Sequence, residues 1–157
     1  MDIREKFPRL FAENKDMYYR IAFSFMKNED EAIDAVCEMS LKAWEKLSWL
    51  RKEEAFRSWS TSILVNVCKT RLKKAKRETV LYEREPAVQD DTDELLSVHQ
   101  AVDKLPMKLK EVVILRYFNG FELSMISDTL QIPLGTVKSR LNRAIAALEK
   151  ELGENNE

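Results

Sequence analysis

Apolar residues recur at helical intervals along nearly the whole chain. Over 7–26 they fall at Phe7, Leu10, Phe11, Tyr18, Ile21, Ala22 and Phe25, a spacing that predicts one amphipathic helix. The polar stretch 28–30 interrupts the pattern, and Asp30 is placed to cap the helix that follows. In that second helix Ile33, Val36, Cys37, Leu41, Trp44 and Leu47 form an apolar stripe, expected to face the core. A short connection over 48–54 leads to a third helix, from 55 to near 76, with Phe56, Trp59, Ile63, Val67 and Leu72 inward. Three such helices can share one core.

The character then changes. PAVQDDTDE, 86–94, holds a proline, the acids Asp90, Asp91, Asp93 and Glu94, and almost nothing to bury. It reads as a flexible acidic linker over 85–97, whose charge discourages it from lying on nucleic acid. Four shorter helical segments follow, at 95–104, 107–118, 122–130 and 134–152. The expected fold is all-α, with two small helical domains, 1–84 and 98–153, on either side of that linker. Composition supports helices over sheet: 45% of the 157 residues are hydrophobic, yet only three are glycine and four proline, too few for many tight turns.

The segment IPLGTVKSRLNRA, 132–144, carries the first chemical signal. At about 100° per residue, Val137, Leu141, Ala144 and Leu148 fall on one side and must pack. Thr136, Ser139, Asn142 and Arg143 lie opposite, flanked by Lys138 and Arg140. Hydroxyls, an amide and cations on one helix face suit a major groove, where Arg bonds guanine, Asn pairs with adenine and Lys meets phosphate. The preceding helix buries Leu123, Ile126 and Leu130, and a tight connection at 131–133 joins the two as a helix-turn-helix. An amphipathic pair with a merely solvated face is the blander alternative.

A formal net charge of −1 rules out a generally basic chain, so any nucleic-acid signal must lie in how charge is distributed. Two local concentrations stand out. The second helix carries Glu31, Asp34, Glu38, Lys42 and Glu45 at spacings of three and four, which is either a solvated face or a docking surface. The third helix ends in CKTRLKKAKRE, where Lys69, Arg71, Lys73, Lys74, Lys76 and Arg77 exceed what a helix dipole needs and suit a phosphate backbone. Between them, Trp49 either stacks on unpaired bases or caps the small core.

Other chemistries have little support. Cys37 and Cys68 are far apart within apolar helical patterns and read as buried free thiols, with no metal-ligand spacing. The only histidine, His99, has no evident nucleophile or metal partner and reads as a solvated or packing residue, so no catalytic site, metal or cofactor is expected. A charged N-terminal stretch and the lack of any long apolar run predict a cytoplasmic protein.

With these residues in hand, the chain resembles the bacterial RNA polymerase sigma factors of the extracytoplasmic-function (ECF) group. DAVCEMSLKAW (34–44) and FRSWSTSILVNVCKTRLKK (56–74) resemble the σ2 domain, and LPMKLKEVVILRYFNGFELSMISDTLQIPLGTVKSRLNRAIAALEKEL (105–152) resembles σ4. The resemblance implies no enzyme and no small-molecule substrate, but partners: core RNA polymerase, promoter DNA and an anti-sigma factor, often membrane-anchored. It places Asp34, Glu38 and Lys42 on the clamp helices of the largest polymerase subunit, and σ4 on the flap of the second-largest. Ser48, Trp49, Leu50 and Arg51 would hold a base flipped from the −10 element, with Asn66, Lys69, Arg71, Lys73 and Lys74 on adjacent strand and backbone. Thr136, Lys138, Ser139, Asn142 and Arg143 would face the −35 element, with Arg140 on phosphate, and the acidic linker would thread toward the RNA exit path. Cys37 and Ser40 depart from the glutamine and aromatic frequent in the family, as Asn142 does from an aromatic or histidine. A stand-alone helix-turn-helix dimer is the alternative; it leaves the acidic face and the basic third helix unexplained.

Overall fold

The computed structural model describes residues 2–82 and 94–155, and all regular structure among them is helical. Most of the expected linker, including Asp90, Asp91 and Asp93, lies outside the described residues. The first helix, α1, spans Ile3–Met26 and stops at Lys27, whose left-handed φ of 59° lets its N–H reach the Phe23 carbonyl. Asn28, not Asp30, caps α2 (Glu29–Glu45): its side-chain oxygen accepts from the Glu31 N–H at 3.0 Å. Asp30 sits inside the first turn instead, where its charge meets the positive end of the helix dipole. The third helix, α3, runs over Phe56–Tyr82, past the expected end near 76.

The orientation of α2 is the main correction to the sequence reading. Its buried residues are Ala32, Ala35, Met39 and Ala43, while Ile33, Leu41 and Trp44 are 50%, 66% and 42% exposed. Cys37 is exposed as well, and of the expected stripe only Leu47 is fully buried, in the turn after the helix. The physical reason is distance. Three alanines at spacings of three and eight let α2 sit close against its neighbours, Met39 fills the remaining space, and a row of large side chains there would push the helices apart. Hydrophobicity alone picks the wider stripe; packing picks the smaller one.

Helix α3 is buried more widely than its expected stripe. Beyond Phe56 and Val67, it also buries Ser60, Thr61, Leu64, Val65 and Cys68. The Ser60 and Thr61 hydroxyls donate back to the Arg57 carbonyl at 3.2 and 2.6 Å, which makes two polar residues tolerable there. Ser60 also shares a 2.6 Å hydrogen bond with the fully buried Tyr18. Burial pushes the Tyr18 hydroxyl up to about 12, against the opposing effects of Ser60 and the Arg57 charge.

The second half comprises α4 (Glu94–Asp103), α5 (Met107–Val113), α6 (Leu123–Leu130) and α7 (Leu134–Asn155). The helix expected over 107–118 widens after α5 into a π-helical turn, Ile114–Phe118. Asn119 Nδ2 donates to the Ile114 carbonyl and the Phe121 N–H to that of Leu115, each at 2.9 Å. Gly120 follows at φ 68°, where a side chain would be strained. Between α6 and α7 the left-handed position is Gln131, φ 56°.

The halves meet directly. One hydrophobic cluster joins Ile21, Phe25, Leu64 and Val65 of the first half to Val112, Ile114, Phe121 and Ile126 of the second. Helix α3 packs on α6, and α1 on the π-helical turn. The Arg57 guanidinium lies 5.6 Å from the Phe121 ring centre, and Lys27 stands 5.7 Å from that of Phe118, which His99 also overlies at 4.9 Å. Burial lowers the Lys27 pKa, as does the nearby Lys110 charge, while Asp103 opposes both.

Two measurements check the orientation of α2. Met39→Ala should lower unfolding stability by about 2–5 kcal/mol, and Leu41→Ala by no more than about 0.5 kcal/mol, in urea titrations. In the native protein a small alkylating agent should modify Cys37 and spare Cys68, which is buried and whose thiol is pushed up to about 12 by that burial. Equal labelling of both thiols would contradict the packing.

Candidate nucleic-acid and polymerase interface

Three groups of expected site residues occupy three parts of the molecule. On α7, the packing side is as the periodicity requires: Val137, Leu141 and Ala144 are buried. Lys138, Asn142 and Arg143 are exposed, and Thr136 and Ser139 are partly so at the helix start. Arg140 differs. Its side chain is only 19% exposed and its guanidinium lies 4.0 Å from the Glu111 carboxylate, so it faces α5 more than solvent. The cation expected on phosphate is thus held partly inward.

The second group surrounds the connection between α2 and α3. Leu47–Trp49 and Glu53–Ala55 form single 3-10 turns, and Lys6 fastens the connection to α1 through a 2.6 Å bond to Glu53. That bond, with the Arg9 charge beside it, holds the Glu53 carboxyl below the usual range. Ser48, Trp49 and Arg51 are exposed and Leu50 is half-buried. Trp49 is 73% exposed, so it does not cap the core; the Lys46 ammonium lies 5.8 Å from its ring centre. Trp49, Leu50 and Arg51 border a cleft of about 720 Å³ whose far wall is α6, with Met125, Asp128 and Gln131.

The basic end of α3 divides into two faces. Asn66, Lys69, Lys73 and Lys76 share one side of the helix by their spacing. Arg71 points elsewhere and donates to Glu38 of α2 at 3.0 Å; Lys74 is exposed. Lys69 reaches across to the second half, 2.9 Å from the buried Glu111. Glu111 therefore stands between one cation of each group expected on DNA, Lys69 and Arg140. Sequence reading missed it because a single acid in an apolar run has no pattern of its own.

On α2, Asp34 and Lys42 are exposed and Glu38 is partly so, engaged by both Arg71 and Lys42 at 3.0 and 3.5 Å. The reading also missed what lies next to them. The outward apolar residues Ile33, Cys37, Leu41 and Trp44 form a stripe beside the charged one, with Phe7 edge-on to Trp44 at 5.4 Å. A second stripe, of small residues at 32, 35 and 43, was the available signal that the large ones face out. An apolar strip bordered by charge on one helix is the anatomy of a protein-docking face.

Comparison with known proteins identifies the family. The Sigma-70 region 2 family matches residues 10–78 and the Sigma-70 region 4 family matches 95–148. The RNA polymerase sigma factor SigV of Bacillus subtilis is 34% identical over 151 residues, covering 89% of this chain and 87% of that one. The ECF RNA polymerase sigma factor SigM of Mycobacterium tuberculosis is 31% identical, covering 96% and 79%. The chain belongs to the ECF RNA polymerase sigma factors. Among solved structures, CnrH in complex with the cytosolic domain of CnrY matches with a TM-score of 0.72 at 25% identity, over 94% of this chain and 88% of that one. The sigma factor RpoE of Bartonella quintana, in complex with the anti-sigma factor NepR, shares the fold with a TM-score of 0.73 at 23% identity, over 95% and 98%. Sigma factors are transcription initiation factors rather than enzymes. No described helix is long and apolar enough to cross a membrane.

The ion pair between the halves can be measured. A double-mutant cycle on Lys69→Met and Glu111→Gln should give a coupling of about 0.5–3 kcal/mol in unfolding stability. A coupling indistinguishable from zero would mean that the halves do not meet there in solution.

Proposed function

We propose that the chain binds core RNA polymerase and directs it to promoters through one contact from each half. The observation that carries this reading is the order of two Sigma-70 regions in one chain, each presenting exposed groups of the right chemistry. Thr136, Lys138, Ser139, Asn142 and Arg143 read the −35 element from α7, with Arg140 meeting phosphate once it leaves Glu111. Trp49, with Ser48, Leu50 and Arg51, traps an unstacked −10 base, while Asn66, Lys69, Arg71, Lys73 and Lys74 follow the strand and its backbone. Strand opening comes from capturing such bases and needs no catalytic group.

Asp34, Glu38 and Lys42 dock on the clamp helices of the largest polymerase subunit, with the apolar strip Ile33, Leu41 and Trp44 as the desolvated centre of that contact. The second half meets the flap of the second-largest subunit. Two domains, 1–84 and 98–153, with an acidic linker at 85–97, fit these separate tasks. Because Met125, Asp128 and Gln131 face Trp49 across its cleft, the halves part to let a promoter strand pass along it, and polymerase supplies that separation. An anti-sigma factor that covers these faces restrains the protein in the cytoplasm, at the inner face of the membrane where that partner is anchored there. The outward apolar strip argues against a stand-alone helix-turn-helix dimer, which has no use for it.

The test is initiation from a promoter library by core polymerase with the purified chain. Specific starts are expected, and none with core alone. Arg143→Ala should weaken use of −35-dependent promoters about 10–100-fold with core binding intact. Trp49→Ala should reduce promoter opening about 5–100-fold, read by permanganate reactivity of unpaired thymines, without loss of −35 binding. Core polymerase that neither binds the chain nor starts specifically with it would overturn the reading.

A further inference from the structure

A second cleft, also of about 720 Å³, opens between α3 and the corner where α4 meets α5. Lys69, Lys73 and Lys76 of α3 face Lys104 and Lys110 across it, and Asp103 is the one carboxylate in its lining. Three of these cations are already paired: Lys69 with Glu111, Lys104 with Glu151 at 2.7 Å and Lys110 with Asp103 at 3.4 Å. Lys73 and Lys76 have no ion pair among the described residues, and both are exposed at the rim. Lys110 is largely buried, with 10% of its side chain exposed, so its charge reaches the cleft with little solvent screening. Positive charge is therefore gathered here from both halves of a chain whose formal net charge is −1.

The rest of the lining is different in kind. Leu72, Leu105, Pro106 and Met107 give it apolar surface. A nucleic-acid backbone laid along α3 would use the lysines and leave that apolar part unused. A ligand that uses both parts must combine several negative charges with a flat, weakly polar body, and must be small enough to enter a cleft of this size.

We propose that this cleft binds a nucleoside polyphosphate, with the phosphates across Lys73, Lys76 and Lys104 and the base on Leu105 and Met107. The walls come from both halves, so the bound nucleotide bridges them and favours the packed arrangement over the parted one. The site thereby couples the nucleotide supply to how readily the halves separate, a property additional to promoter selection.

The test is titration of the full chain with a fluorescent ATP analogue at about 0.15 M salt, where the Debye length is about 8 Å and diffuse attraction is largely screened. Saturable one-to-one binding is expected, displaced by unlabelled ATP, more weakly by inorganic tripolyphosphate, and not by adenosine at equal concentration. Lys104→Glu should weaken it about tenfold or more, whereas Lys15→Glu, on the exposed side of α1, should leave it unchanged; circular dichroism confirms that both variants fold. Absence of saturation, or equal loss in both variants, would overturn the proposal. So would tripolyphosphate competing as well as ATP, which would mean an anion site with no role for the apolar lining. A single-stranded oligonucleotide that displaces ATP and loses affinity in Lys104→Glu by the same factor would make the cleft a backbone track instead, and would also overturn it.

Discussion

Helix α3 has to satisfy two neighbours at once, and the rest of the structure depends on that. One side closes the three-helix core through Phe56, Val67 and the Tyr18–Ser60 hydrogen bond, while α6 packs against another. A helix covered on two sides cannot show a clean amphipathic stripe, and α3 does not: apolar, hydroxyl and basic residues alternate along it. Its exposed remainder is narrow around Asn66 and widens from Lys73 onward, where Lys73, Lys74, Lys76 and Arg77 are all presented. Covering α3 thus limits which of its cations are available and which are held.

Electrostatics follow from the same packing. Glu111, buried in the second half, accepts Lys69 from the first and lies near Arg140 of its own half. A buried carboxylate is costly without cations, and cations that serve it are less available to phosphate. The packed arrangement is therefore one in which two positive groups suited to DNA are engaged internally, and in which α6 stands across from Trp49. Holding the halves together and presenting the full promoter surface are competing uses of the same side chains.

The outward strip on α2 illustrates a different constraint. Ile33, Leu41 and Trp44 have every hydrophobic reason to be buried, yet the alanines and Met39 occupy the core. A monomer gains nothing by exposing three large apolar side chains in a row; a docking protein does. In the proposed docking contact the charged residues beside them would give direction and selectivity, and the apolar ones area to desolvate.

Much of this was legible in the residues. Helix positions, the packing side of α7 and the exposed polar face opposite it follow from periodicity and local chemistry, which act over a few residues; the two family motifs and their order were legible through resemblance. The inward face of α2 did not, because two stripes of different size competed and only the distance to α1 and α3 decides between them. Cys37 was misplaced with that stripe, while Cys68 is buried, as its apolar setting on α3 predicts. The Asn28 cap could have been read locally, since it directly precedes the helix; Asp30 drew attention only by being acidic. The roles of Glu111 and of the lysine cleft were beyond sequence reading altogether. The partners of Glu111, Lys69 and Arg140, lie far from it in sequence, and the cleft draws its charges from α3 and from the corner between α4 and α5, so only the folded chain brings those charges within range of each other.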